Sequence, residues 1–162
     1  MSELIIALDL VVAAALFVAG AGKLFAWSSW QDARHELRLG VPRLLWASLP
    51  LVELACGAAL SLGLRPWGAL AALVLFIGFA GALTVSYRRG ARGECNCLGT
   101  LFPARVGPGT IGRALVLALA TTVILVLGDA SQPLHPLGLA VSSALAAVTV
   151  LAGTVRARVL AQ

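Results

Sequence analysis

Two cysteines separated by a single residue, Cys95 and Cys97, are the side chains of this sequence best suited to chemistry. At this spacing they can close a disulfide, because their Cα atoms fall near the required separation of about 4.4–6.8 Å. The ring is small enough to be strained, and strained, exposed disulfides are oxidising and exchange readily. Gly93 and Gly99 flank the pair and let the backbone bend round it. The pattern predicts dithiol–disulfide exchange, with two unrelated loop cysteines as the alternative.

Two charged residues, Lys23 and Glu53, lie inside long apolar segments. An ionised side chain within a membrane is costly, so it normally faces the bundle interior and has a partner. Pro50 precedes Glu53 by three residues, has no N–H, and therefore leaves the carbonyl of Trp46 without its helical donor. We expect a polar pocket near mid-membrane, with Lys23 as the candidate partner of Glu53. A neutral, hydrogen-bonded carboxyl and a functional site, such as one that binds a quinone, both stay open.

The remaining cysteine and the histidines add little chemistry. Cys56 falls in an apolar segment and is interpreted as a small buried hydrophobe, with a third thiol that relays electrons as the alternative. A metal site is not expected, because zinc usually takes four ligands. His35 and His135 are predicted on opposite sides of the membrane, so both cannot join the cysteine pair.

Composition indicates that lipid surrounds the elements that carry these residues. The chain of 162 residues is 60% hydrophobic and only 12% charged, with a mean hydropathy of +0.96, whereas a soluble domain is about 25% charged. Five apolar segments reach or approach the roughly 20 residues that span a membrane. They lie at about 4–26, 43–62, 66–87, 111–128 and 134–155. The first lacks a basic start and is expected to be retained, not cleaved as a signal peptide. We therefore predict one all-α transmembrane domain over 1–162, a bundle of four to five transmembrane helices.

Two connecting segments differ from plain loops. Residues 28–42 are predicted to form a short amphipathic helix in the headgroup region, capped by Ser28 or Ser29 and stopped by Gly40 and Pro42. Its apolar face comprises Trp30, Ala33 and Leu37. A cytosolic loop is the alternative. Residues 88–110 contain five glycines and two prolines, which argue against a regular helix, and they carry the cysteine pair.

Basic residues predict the orientation of the chain. The net charge is +5 and the pI about 10.1, but the arginines lie between apolar segments, so no nucleic-acid partner is expected. Ten of them fall on one side, namely Arg34, Arg38, Arg43, Arg88, Arg89, Arg92, Arg105, Arg113, Arg156 and Arg158, and only Arg65 on the other. By the positive-inside rule the amino terminus lies outside a bacterial inner (plasma) membrane and the cysteines face the cytoplasm. Oxidative folding occurs outside the cytoplasm, so this orientation is in tension with the predicted chemistry.

Further patterns predict packing and membrane depth. Gly78 and Ala82 in the third span, and the series Gly138, Ser142 and Ala146 in the last, have the spacing of small residues at helix contacts. The tryptophans are interpreted as membrane-interface belts. Trp27, Trp30 and Trp46 would mark the inner surface and Trp67 the outer one.

Four short motifs resemble the MauE branch of the DoxX-like membrane proteins. They are Ala21-Gly22-Lys23-Leu24, then Leu49-Pro50-Leu51-Val52-Glu53-Leu54 with Gly57, then Cys95-Asn96-Cys97-Leu98-Gly99, and Arg113. The resemblance covers roughly residues 15–120. The chain departs from the family where Leu98 replaces the usual phenylalanine and Ala114 the frequent asparagine. The resemblance implies a four- or five-helix membrane protein that helps to form or maintain disulfides in an exported dehydrogenase subunit, together with a thioredoxin-like partner.

Three functions follow as hypotheses. In the first, the chain is a component of a thiol–disulfide oxidoreductase system whose catalytic cysteines, Cys95 and Cys97, exchange with a thioredoxin-like protein. A quinone near Lys23 and Glu53 would then exchange electrons with the pair. In the second, the chain is a non-enzymatic membrane scaffold that recruits a partner. In the third, it is a small-solute transporter with Glu53 as proton relay, for which homo-oligomers would compensate for the short chain.

Overall fold

A computed structural model describes residues 2–37, 39–91, 93–95 and 104–128. Five helices and two very short strands follow one another in this part of the chain. They are α1 (Ser2–Phe25), α2 (Trp27–Glu36), α3 (Arg43–Ser61), α4 (Trp67–Arg88), β1 (Glu94–Cys95), β2 (Ala104–Arg105) and α5 (Pro108–Leu127). The predicted last span at 134–155 lies outside the described residues.

Four helices are long and apolar enough to cross a membrane, namely α1, α3, α4 and α5. Many of their large hydrophobic side chains point away from the bundle, with Leu44 80%, Val74 65% and Val126 74% exposed. Leaving such side chains in water forfeits the free energy of apolar burial, so the surface requires lipid as its solvent. The prediction of an all-helical, multi-pass membrane bundle is confirmed, with four spans among the described residues.

The four long helices form a closed ring. Helix α1 packs on α3, α3 on α4, α4 on α5, and α5 returns to α1. The ends of α1 show that α1 and α3 run antiparallel, because Asp9 near its start pairs with Arg65 after α3, whereas Lys23 near its end pairs with Glu53. Two glycines bring these helices together. A Cβ at Gly20 would lie 2.8 Å from the Pro50 carbonyl oxygen, and one at Gly57 would lie 3.3 Å from that of Ala13.

The predicted small-residue contact in the third span is not found among the described residues, so a contact there with the rest of the chain stays a prediction. A Cβ at Gly78 would meet no described heavy atom within 4 Å, and Gly78 lies on the exposed side of α4. The close approaches occur instead at Gly20 and Gly57, which face a neighbouring backbone. The second predicted contact, at Gly138, Ser142 and Ala146, lies outside the described residues.

Helix α2 lies across one end of the bundle. Its predicted apolar face is confirmed, since Trp30, Ala33 and Leu37 are each at most 5% exposed. Its predicted bounds are wrong. It begins at Trp27 after Ala26, without a side-chain cap, so Ser28 and Ser29 lie within its first turn. The helix also ends at Glu36, with Leu37 as its C-cap, before Gly40 and Pro42.

The segment between α4 and α5 begins and ends in an antiparallel strand pair, in which Glu94 pairs with Arg105 and Cys95 with Ala104. The backbone N–H of Val106 donates to the Gly93 carbonyl at 3.1 Å and extends this ladder. Helix α5 begins at Pro108 instead of the predicted residue 111. Proline suits this first helical position, because its missing N–H would have no partner there.

Candidate functional site

The buried charges form an ion pair between α1 and α3. Lys23 Nζ donates to both carboxylate oxygens of Glu53, at 2.7 and 2.8 Å. The Lys23 side chain is 0% exposed and that of Glu53 1% exposed. A third, longer contact joins Lys23 Nζ to the Ala19 carbonyl at 3.4 Å. The sequence-based pairing of these two residues is thus observed, and each charge has an oppositely charged neighbour in place of water.

Two aromatic rings lie near the ammonium group. Lys23 Nζ lies 5.1 Å from the centroid of the Trp30 ring and 5.1 Å from that of Phe79. Both distances are within the range of about 6 Å over which a cation is attracted to the face of an aromatic ring. Lys23 is therefore held by one carboxylate and two rings, contributed by α3, α2 and α4.

Trp30 also closes the gap in hydrogen bonding that Pro50 creates. Its Nε1 donates at 3.2 Å to the Trp46 carbonyl, the acceptor that a proline four residues later leaves unused. In return, Trp46 Nε1 donates at 2.8 Å to the Trp30 carbonyl. The two rings stack with centroids 4.0 Å apart and an interplanar angle of 9°. This reciprocal arrangement fixes α2 on α3 directly above the ion pair.

These contacts correct the interpretation of two tryptophans as membrane-interface residues. Trp30 is 1% and Trp46 5% exposed, and both belong to the buried cluster that also contains Ala33, Leu37, Leu83 and Val106. Trp67, by contrast, is 75% exposed and Trp27 43%, as residues of an aromatic belt would be. The sequence carried a signal for the hydrogen bond but none for the burial of the two rings, since Pro50 implies only that the Trp46 carbonyl needs a donor from elsewhere.

The strand that contains Cys95 packs against α2. Just before this strand, the Glu36 side chain at the end of α2 lies against Gly93. Val106, just after β2, is buried in the cluster around Trp30. In addition, Ser86 Oγ of α4 donates to the Leu37 carbonyl at 2.8 Å. The backbone at Cys95 is thereby held at the same end of the bundle as Lys23.

The three cysteines have different positions. The backbone of Cys95 lies in β1, opposite Ala104, whereas Cys97 lies outside the described residues. Cys56 is a buried free thiol in the cluster formed with Val12, Leu16 and Leu60, as expected of a small hydrophobe. It follows Glu53 by one helical turn. No group of three or more metal-ligating side chains occurs in the described ranges.

A second ion pair joins the opposite end of the bundle. The carboxylate of Asp9 in α1 pairs with the Arg65 guanidinium in the α3–α4 connection, and each side chain is 10% exposed. Burial lowers the pKa of Arg65, but arginine stays charged because its ordinary value is so high. Sequence analysis placed Arg65 on the outer side and did not pair it with Asp9. The pairing explains how Arg65 is accommodated at this end.

Chemically, the described site contains a buried pair of opposite charges. The Lys23–Glu53 pair can hold a proton on either partner without net change of charge, because ammonium–carboxylate and amine–carboxylic acid differ only in the position of that proton.

Comparison with known proteins adds one match. The sequence model of the family described as Methylamine utilisation protein MauE matches residues 1–127, which include α1 to α5. Neither the curated proteins nor the solved structures contain a significant match to the chain. The match includes Lys23, Glu53, Cys95 and Cys97. The wider relation to DoxX-like proteins stays a prediction.

Proposed function

Because the chain belongs to the MauE family of methylamine utilisation proteins, we propose that it exchanges thiols and disulfides with a thioredoxin-like partner through Cys95 and Cys97. The placement of β1 carries the proposal. The Cys95 backbone lies on a strand that is anchored to the bundle through α2 and Val106. A cysteine at a fixed position on the end of a membrane bundle suits exchange with a partner that approaches from the aqueous side.

The proposed exchange is balanced without any further reactant. One thiolate of the pair attacks the disulfide of the partner, forms a mixed disulfide and releases one partner thiolate. The second cysteine then attacks the mixed disulfide and releases the other partner thiolate. The products are the Cys95–Cys97 disulfide and the reduced partner. The reverse sequence oxidises the partner, and the direction depends on the two reduction potentials.

Repeated oxidation of a partner requires an electron acceptor, and a quinone is the proposed one. Two thiols transfer two electrons and two protons to a quinone, which yields one disulfide and one quinol. Lys23 and Glu53 are the candidate residues near the quinone, since they are the charged pair closest to the Cys95 end of the described bundle. Because both side chains are buried, the residues packed around them must move before a quinone can reach them.

Trapping of the mixed disulfide tests the exchange. We expect one of the single variants, Cys95→Ser or Cys97→Ser, to accumulate a covalent complex with a purified thioredoxin, because the resolving thiol is missing. The reconstituted full chain would be incubated with oxidised thioredoxin, quenched with acid and examined by non-reducing electrophoresis. The Cys56→Ser variant is the matched control and should exchange like the wild type, since Cys56 is buried among apolar side chains.

Two results would contradict the proposal. Absence of any trapped complex in both single variants would remove the exchange step. Wild-type function in cells that carry Cys95→Ala/Cys97→Ala would make the thiols incidental. If the double variant functions but a variant with a disrupted α2 does not, a scaffold function is favoured.

The orientation is part of the proposal. In the described chain Arg34, Arg43, Arg88, Arg105 and Arg113 all belong to the end that carries β1, so the positive-inside rule predicts cytoplasmic cysteines. In intact cells that express Cys56→Ser, a membrane-impermeant maleimide should leave Cys95 and Cys97 unlabelled until the membrane is permeabilised. Labelling before permeabilisation would reverse the orientation and place the exchange outside.

A further inference from the structure

A cavity of about 330 Å³ lies at the carboxyl end of α2. Arg34 and His35 line it from α2, and Leu39, Gly40 and Val41 line it from the connection to α3. We infer that this cavity binds the phosphate of an anionic phospholipid headgroup, with Arg34 as the principal ligand. This inference is independent of the cysteine chemistry.

Among the described residues, the guanidinium of Arg34 has capacity left to donate. Its contacts there are two long ones, from Nη1 to the Val41 carbonyl at 3.5 Å and from Nη2 to His35 Nε2 at 3.4 Å. Both contacts are at the outer limit of hydrogen-bond length. They therefore position the guanidinium group but use little of its capacity to donate hydrogen bonds. Arginine presents five N–H donors in a planar fork that matches the oxygens of a phosphate. The cavity therefore offers a positioned cation with donors to spare.

The other walls favour a lipid over a soluble phosphate. The side chains of Leu39 and Val41 are apolar, and α3 begins two residues after Val41. Its first turn exposes Leu44 by 80% and Leu45 by 61%, which in a membrane helix is a surface for acyl chains. A phospholipid whose headgroup phosphate binds Arg34 would thus have its acyl chains beside lipid-facing leucines. The cavity belongs to α2, which lies across the end of the bundle where headgroups are found.

Nearby carboxylates do not line the cavity. Asp32 and Glu36 are exposed residues of α2. The Glu36 side chain lies against Gly93 instead. Arg43, exposed at the start of α3, adds positive charge close to the entrance. The local charge therefore attracts an anion, as basic residues at a membrane surface do.

Lipid binding by the purified full chain in dodecylmaltoside tests the inference. In native mass spectrometry, we expect dioleoyl phosphatidylglycerol to bind in preference to dioleoyl phosphatidylcholine. We expect Arg34→Gln to weaken phosphatidylglycerol binding about fivefold, which corresponds to the loss of one cationic contact at a membrane surface. Arg88→Gln is the matched control, because Arg88 is an exposed arginine at the same end of the bundle, and it should bind like the wild type.

The outcomes separate this site from its alternatives. Equal loss in both variants would mean diffuse attraction to basic residues, and no loss in Arg34→Gln would remove the site. Displacement of the lipid by millimolar inorganic phosphate would identify a soluble phosphate ligand and overturn the lipid assignment. Should Arg34→Gln unfold, as judged by its thermal melting curve, His35→Gln replaces an exposed side chain of the same cavity and should also weaken binding. Unaltered binding in that variant would then refute the inference.

Discussion

Replacement of Lys23 by methionine is expected to lower the free energy of unfolding by about 3–5 kcal/mol, the usual result of removing one partner from a buried ion pair. The Glu53 carboxylate accepts two hydrogen bonds from Lys23 and is 1% exposed, so water cannot replace the missing ammonium group. Titration of the reconstituted protein with SDS in dodecylmaltoside micelles, followed by circular dichroism, measures the change.

Two further variants separate the ion pair from general damage. In Lys23→Met/Glu53→Leu both charges are absent, and we expect much of the lost stability to return, because no unpaired charge remains. Glu3→Gln, at an exposed position of the same bundle, should leave the unfolding midpoint unchanged. If the double variant loses as much free energy of unfolding as Lys23→Met and Glu53→Leu lose in sum, the two residues do not act as a pair.

Trp30→Ala should have an effect of similar size, about 3–5 kcal/mol, as measured for large aromatic side chains in protein cores. The change removes a ring that stacks on Trp46, the donor to the Trp46 carbonyl, and one of two rings beside Lys23. The near-ultraviolet circular dichroism of the stacked tryptophans should fall with it. The same SDS titration gives the change in stability.

Trp67→Ala is the matched control, because Trp67 is 75% exposed and should matter little for stability in micelles. Trp30→Phe keeps a ring but lacks the N–H donor, so its loss should be intermediate. A Trp30→Phe variant as stable as the wild type would show that the hydrogen bond to the Trp46 carbonyl contributes nothing.

The membrane bundle and the ion pair could be predicted from sequence for the same reason. A charged residue in an apolar span has few acceptable neighbours, so Lys23 and Glu53 nearly identify each other. Apolar side chains provide no such constraint. Both lipid and protein interior accept Trp30 and Trp46, so their sequence positions cannot reveal which they face. Their burial depends on the path of α2 across the bundle.

The site around the cysteines is less determined by sequence. The glycines and prolines of residues 88–110 argue against a regular helix, and the described residues between α4 and α5 include two short strands. A two-residue strand pair, however, has no clear periodicity. The anchor of this segment, Val106 in the cluster of Trp30, is a tertiary contact between residues far apart in the chain. The spacing between Cys95 and Cys97 identifies Cys95 as a candidate from sequence. The position of its backbone next to α2 is known only from the structure.

The bond from Trp30 to the Trp46 carbonyl makes two distant positions interdependent in evolution. Pro50 is tolerated within α3 because an indole from another helix supplies the donor that its own backbone lacks. A homologue that lacks the Trp30 indole would leave the Trp46 carbonyl without a hydrogen-bond donor, unless Pro50 is replaced as well. Substitutions at 30 and 50 should therefore be inherited together.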